Sequence, residues 1–290
     1  MSGIAYLGAI RYMQENGMMK DVHEVSGSSI GALFACLFAM NIMPDELEEY
    51  LKEFFKNDEN TVFPFITSIV SILDTFGIDD GRRMVGPLRH FVKKKYGWEK
   101  ETITISDFVK RTGINVVICA ANVSKRKTVY LSVDTTPDVC LYDAVQASMS
   151  IPMVMTPVSI NGDLHVDGGI CDNYPISGFR KSGCNNVLVM KLPEFCSDST
   201  ERNDFFTYMS LIVQTMISNT SNDQKLEYLC SRHDILRLDR TPIPFLPIEA
   251  RLDGTLKVVI SDDDIENSIG YGYTTMYEFI KKKKERVGPT

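Results

Sequence analysis

A chain of 290 residues, 44% hydrophobic and 24% charged, can bury a large core and has the composition of neither a disordered nor a fibrous protein. Its net charge of -7 and its lack of a broad basic stripe argue against nucleic acid as a partner, because phosphate binding relies on clustered Lys and Arg. Seven scattered cysteines form no CxxC pair and no Cys/His cluster has zinc-ligand spacing, which points to reduced, packed thiols and to neither a disulfide framework nor a metal site.

The opening MSGIAYLGAIRYM lacks a basic leader and is interrupted by Arg11, so it does not read as a signal peptide. No apolar run reaches the roughly 18 to 20 residues that span a bilayer. The expectation is an intracellular protein, cytoplasmic or peripherally membrane-associated, with residues 1–290 forming a single domain. Its core covers about 3–192, and an extension over about 193–290 packs on it.

In chain order, apolar residues at helical spacing from Ile4 predict a helix that stops at Asn16-Gly17. Residues 22–26 read as a short strand, followed at once by Gly27 and by a buried helix from Ile30 to Met40. Pro44 with Asp45 and Glu46 starts another helix, which runs to about Lys56. Residues 62–78 carry one charge, Asp74, and read either as a lid over an apolar channel or as an ordinary core helix. A basic amphipathic stretch follows from Arg82 to Lys95. INVVICAANV (114–123) and TVYLSV (128–133) are β-rich and suit a buried sheet, with SKRK as the turn between them. A helix over Leu141–Ser148 leads to two strands joined at Asn161-Gly162, a favoured hairpin dipeptide, and the second strand runs into Asp167-Gly168-Gly169. Residues 185–192 and 233–238 read as strands, and 204–229 and 262–284 as helices. The lysine runs 93–95 and 281–284 could favour an anionic membrane surface, but both fall where helix C-termini favour cations.

The segment Gly27-Ser28-Ser29-Ile30-Gly31 has the form G-x-S-x-G with Ser29 at its centre. A serine needs a base to take its proton and an exposed position from which to meet a carbonyl, and a sharp strand-to-helix turn supplies the exposure. The positive end of the following helix favours a developing oxyanion. Five residues of this kind also arise by chance, and the plain alternative is a helix cap made by Ser28 or Ser29. A phosphate loop is excluded because the lysine of GxxxxGK[ST] is missing.

The base could come from several places. The order Ser29, Asp167, His233 fits an α/β-hydrolase triad, but in that fold several strands precede the serine turn and here almost none does. His165 shares strand parity with Asp167, yet a hairpin histidine is expected at the surface. Asp167 sits at a strand end before two glycines, where it is either a simple Asp-Gly turn or a carboxylate free to approach another backbone closely. A buried carboxylate with a raised pKa can deprotonate serine directly, giving a Ser/Asp dyad.

Ser29 in GSSIG, Asp167 in DGG and the intervening QASMSIPMVMTPVSINGDLHVDGGICDNYPI resemble the patatin-like phospholipase family, over most of residues 3–192. The resemblance implies a three-layer α/β fold with a mostly parallel central sheet flanked by helices. It implies Ser29 as nucleophile, Asp167 as base, and hydrolysis of fatty-acyl esters from phospholipids or other acyl lipids through an acyl-enzyme, without metal or cofactor. It also implies a glycine-rich GGGxxG oxyanion loop after a first strand. The chain begins Met1-Ser2-Gly3, so Gly3 is the only residue onto which that oxyanion role carries. The expectation is that Met1 is an internal methionine of a longer protein; the alternative is a catalytically impaired lipid-binding or interaction protein on the same fold.

Overall fold

The computed structural model describes residues 3–63, 74–98, 102–179, 187–192, 205–220, 234–238, 248–250 and 255–287. Helix α1 (Ile4–Glu15) buries Ile4, Leu7, Ile10 and Met13 and ends at Asn16-Gly17, as its periodicity predicts. Strand β1 (Glu24–Ser28) lies further along the chain than residues 22–26 and carries Gly27 and Ser28 inside the sheet. At Ser29 it turns into α2 (Ile30–Ala39), which is buried from Ala32 onward. Helix α3 (Pro44–Lys56) starts on its proline with Asp45 and Glu46 in the first turn, and buries Leu47, Leu51 and Phe55 along one stripe.

A short strand β2 (Val62–Phe63) precedes α4 (Gly86–Tyr96), whose last turn carries Lys93, Lys94 and Lys95. The Lys95 ammonium donates to the Met40 and Asn41 carbonyls at the end of α2, so at least this lysine serves a helix C-terminus. Helix α5 (Ile105–Thr112) is capped by Thr104 Oγ1, which accepts from the Asp107 N–H at 3.0 Å. Then come β3 (Asn115–Asn122), buried at every residue, β4 (Lys127–Leu131), α6 (Leu141–Met149), β5 (Val158–Ile160) and β6 (Asp163–Asp167). Beyond these lie β7 (Leu188–Lys191), α7 (Phe205–Thr220), β8 (Asp234–Arg237), β9 (Ile248–Ala250), β10 (Leu256–Val258) and α8 (Asp262–Val287). Of the candidate lid, residues 64–73 lie outside the described residues, as does His233.

The α/β organisation matches expectation, but the central five-stranded sheet is mixed where mostly parallel pairing is expected. Among the described residues β1 alone runs parallel to β3, while β4 and β6 pair with β3 antiparallel and β5 pairs with β6 antiparallel. The reason is local. Asn161 (φ 53°) and Gly162 (φ 81°) close a two-residue hairpin between β5 and β6, and a short turn joins β3 to β4; connections this short force antiparallel neighbours. Parallel pairing recurs in the separate β7–β8 pair, and β2, β10 and β9 form a small antiparallel sheet.

The register around β3 positions the site. Strand β4 pairs with Ile118–Asn122, β1 with Asn115–Cys119, and β6 with Ala120–Asn122. Because Ile118 and Cys119 pair with both β1 and β4, and Ala120 and Ala121 with both β6 and β4, strands β1 and β6 occupy the same edge of β3. They approach each other head-on and end opposite the neighbouring residues Cys119 and Ala120.

Helix α8 is drawn against α1 at backbone distance. A β-carbon at Gly8 would lie 1.9 Å from the Ile269 carbonyl oxygen, and one at Gly272 1.9 Å from that of Ala5. Tyr12 packs edge-on to Tyr273 beside this crossing. Among the described residues no helix is long and apolar enough to cross a membrane.

Candidate active site

Strand β1 ends at Ser28, opposite Cys119, and the chain must reverse there because β6 comes the other way. Ser29 makes the reversal with φ 55° and ψ -131°, a conformation that costs a residue with a side chain about 1–3 kcal/mol. Gly27 permits it: a β-carbon there would lie 2.2 Å from the Gly31 carbonyl carbon and oxygen, so the first turn of α2 folds directly onto the strand. A β-carbon at Gly31 would meet nothing within 4 Å among the described residues, so that glycine answers no packing demand from them.

Asp167 ends β6 opposite Ala120, is 1% exposed, and meets Ser29 at the strand junction. Ser29 Oγ donates to Asp167 Oδ2 at 2.5 Å, and the Gly169 N–H donates to the other oxygen, Oδ1, at 2.7 Å. These lengths are those of charge-assisted bonds to a carboxylate. Burial nevertheless lifts the Asp167 carboxyl from its ordinary 3.8 to about 6, with the Ser29 and Gly169 bonds working against that rise. The result is a carboxylate that is ionised at neutral pH yet basic enough to accept a proton near it.

Gly168 fits where no other residue would: a β-carbon there would lie 2.3 Å from the Cys119 carbonyl oxygen and 2.7 Å from Ser28 Oγ. Ser28 is therefore a small buried residue wedged against the loop that follows Asp167. Neither serine caps α2 through its side chain, since Ser29 is the N-cap residue and its hydroxyl goes to Asp167 instead. The helix-cap reading of this motif thus does not hold. The simple-turn reading of Asp167-Gly168 also falls short, because Gly168–Ile170 is a 3-10 turn whose first glycine is demanded by space rather than by a left-handed φ.

Gly3 starts α1 beside the turn, and a β-carbon on it would lie 2.7 Å from the Ile30 side chain. It is near the side chain of Ile30, the residue following Ser29. His165 departs from expectation. It is buried, not at the surface, because β6 is an inner strand paired on both sides, and its Nδ1 lies 3.0 Å from the Asp163 carbonyl within its own hairpin.

Four residues around the pair carry no distinguishing signal in the sequence. The Ser148 hydroxyl bridges the Ser29 N–H and the Cys119 carbonyl. Tyr130 Oη donates to Asp172 Oδ2 at 2.7 Å, and the Asp172 N–H donates to the Gly168 carbonyl at 2.8 Å, which braces the loop after Asp167. Burial, reinforced by Asp172, holds the proton on Tyr130. From α7, Thr220 Oγ1 donates to the Gly169 carbonyl at 2.6 Å. Among the described residues no group of three or more His, Cys, Asp or Glu side chains could hold a metal ion.

Comparison with known proteins agrees with this architecture. Residues 1–180 match the family described as Patatin-like phospholipase. Uncharacterized protein R571 of Acanthamoeba polyphaga mimivirus is 27% identical over 179 residues, covering 61% of this chain and 57% of R571. "Probable lipid hydrolase 463L" of Invertebrate iridescent virus 6 is 24% identical over 181 residues, covering 61% and 59%. The chain thus aligns with less than two thirds of the length of either relative. Among solved structures, VipD from Legionella pneumophila superposes with a TM-score of 0.52 at 15% identity, over 97% of this chain and 65% of VipD, a likeness of fold. With the family match covering more than half of its length, the chain belongs to the patatin-like phospholipase family.

Proposed function

We propose that this chain hydrolyses fatty-acyl esters of phospholipids or related acyl lipids through an acyl-enzyme on Ser29, with Asp167 as the only base. The observation that carries the proposal is the 2.5 Å hydrogen bond from Ser29 Oγ to a carboxyl group whose pKa is raised to about 6. Asp167 takes the hydroxyl proton as Ser29 Oγ attacks the ester carbonyl, and the tetrahedral oxyanion develops near the N-terminus of α2, where unpaired N–H groups and the helix dipole favour negative charge. The protonated Asp167 then gives its proton to the departing alkoxide as the C–O bond breaks, leaving acyl-Ser29. Water attacks that ester while Asp167 takes its proton, and release of the fatty acid returns the proton to Ser29.

A family of lipid-acting enzymes and a relative named as a lipid hydrolase support the substrate class. The test is turnover of a fluorogenic long-chain ester together with covalent labelling by a serine-reactive phosphonate. Both should be present in the native chain and absent from Ser29→Ala. Labelling of Ser29→Ala at the native rate would refute the assignment of Ser29.

A further inference from the structure

Ser148 stands next to last in α6 and is fully buried. A serine within a helix ordinarily turns its hydroxyl back to the carbonyl four residues earlier. Ser150, two residues on, does so, donating to the Gln146 carbonyl at 2.8 Å. Ser148 does not. Its hydroxyl donates to the Cys119 carbonyl on β3 at 2.6 Å and accepts the Ser29 N–H at 2.9 Å. A hydroxyl has one proton, and with that proton committed to Cys119 a lone pair must face Ser29, so the direction of both bonds is fixed.

The two groups it joins matter for the site. The Cys119 carbonyl belongs to the point on β3 where β1 and β6 meet, and Gly168 packs against that same oxygen. The Ser29 amide belongs to the one residue of the turn held at φ 55°. We infer that Ser148 is a positioning residue for the Ser29/Asp167 pair: the bridge from the Ser29 N–H through the Ser148 hydroxyl to the Cys119 carbonyl clamps the strained turn to the strand against which Asp167 is registered. The 2.5 Å contact between Ser29 and Asp167 thereby becomes a property of the sheet. The bridge also occupies the Ser29 N–H, so an oxyanion must be met by amides beyond Ser29 and not by that of the nucleophile itself. This inference rests on the dyad reading given above.

Ser148→Ala removes the bridge, and Ser148→Cys restores the volume with a thiol, a poor hydrogen-bonding substitute. Turnover of the long-chain ester is measured for both, per folded molecule as counted by circular dichroism, beside Ser29→Ala. If Ser148 positions Ser29, both variants lose about 10- to 100-fold in kcat with KM unchanged, the signature of an interaction needed only in the transition state, and phosphonate labelling slows in parallel. Native kcat per folded molecule in Ser148→Ala overturns the inference. So does recovery of native kcat by Ser148→Cys, which would make Ser148 a space filler. Full turnover by Ser29→Ala would instead overturn the dyad reading beneath it.

Discussion

Replacing Asp167 by asparagine separates its electrostatic burden from its chemistry. The native carboxyl binds its proton more tightly than the unfolded chain does, since burial raises it from 3.8 to about 6. Its favourable contribution to stability is therefore complete below the unfolded value and disappears as pH rises through about 6. A shift of about two units at 1.36 kcal/mol each corresponds to about 3 kcal/mol, undiscounted because the group is 1% exposed. The amide in Asp167→Asn cannot titrate, so the stability difference between the two proteins should change by about 3 kcal/mol between about pH 3.5 and 7.5, with the native chain relatively less stable at the higher pH. Urea unfolding of both proteins across that range measures it, because titrations common to both cancel in the difference. The kinetic counterpart is an acid limb in kcat/KM with an apparent pKa of about 6, and a loss of about 10²- to 10⁴-fold in Asp167→Asn at about pH 7.5. A stability difference that stays flat across that range, or an acid limb near the ordinary carboxylate value, would refute the claim that burial sets the basicity of this group.

The turn itself can be tested apart from the chemistry. Ser29→Gly and Ser29→Ala should both abolish turnover and both lose the bond to Asp167, yet the glycine variant should be the more stable of the two by about 1 kcal/mol, because glycine adopts φ 55° without the strain that a side chain brings; a thermal melt of Ser29→Gly at or below that of Ser29→Ala would count against strain at this position. The two glycines of the motif should behave oppositely. Gly27→Ala places a methyl 2.2 Å from backbone atoms of Gly31 and should cost about 3 kcal/mol or more, whereas Gly31→Ala meets open space in the first turn of α2 and should leave stability unchanged or raise it by up to about 1 kcal/mol. Equal destabilisation of the two variants by urea would show that the tight contact at Gly27 is misread.

What the sequence makes legible is local. The stop of α1 at Asn16-Gly17, the proline start of α3 and the Asn161-Gly162 hairpin all follow from periodicity and turn chemistry carried by a few adjacent residues. Ser29 and Asp167 stand out for the same reason, each lying in a short glycine-containing motif. Their meeting is not local. It depends on β1 and β6 sharing one edge of β3, a register between segments 138 residues apart that no window of sequence contains. The misplaced end of β1 has a related cause: Gly27 and Ser28 look like turn residues, but Gly27 stays in the sheet because its missing side chain makes room for Gly31. Ser148 and Tyr130 are invisible at that level, since a serine in a helix and a tyrosine in a strand are common, and only their partners across the fold set them apart.

The forces that set the basicity of Asp167 are few, and this bears on the second half of the proposed cycle. Burial raises its pKa, and among the described residues the Ser29 hydroxyl and the Gly169 amide are the groups that pull it back. When Ser29 is acylated its proton is gone, and it can no longer donate to Oδ2. One of the two restraining bonds disappears at the moment when water replaces serine as the group to be deprotonated. Since a lost donor to the ionised form raises the pKa, Asp167 in the proposed acyl-enzyme is the stronger base until a water donates in place of the hydroxyl that stood 2.5 Å away. A histidine between serine and carboxylate would buffer this change. With direct contact, the state of the nucleophile itself tunes the base.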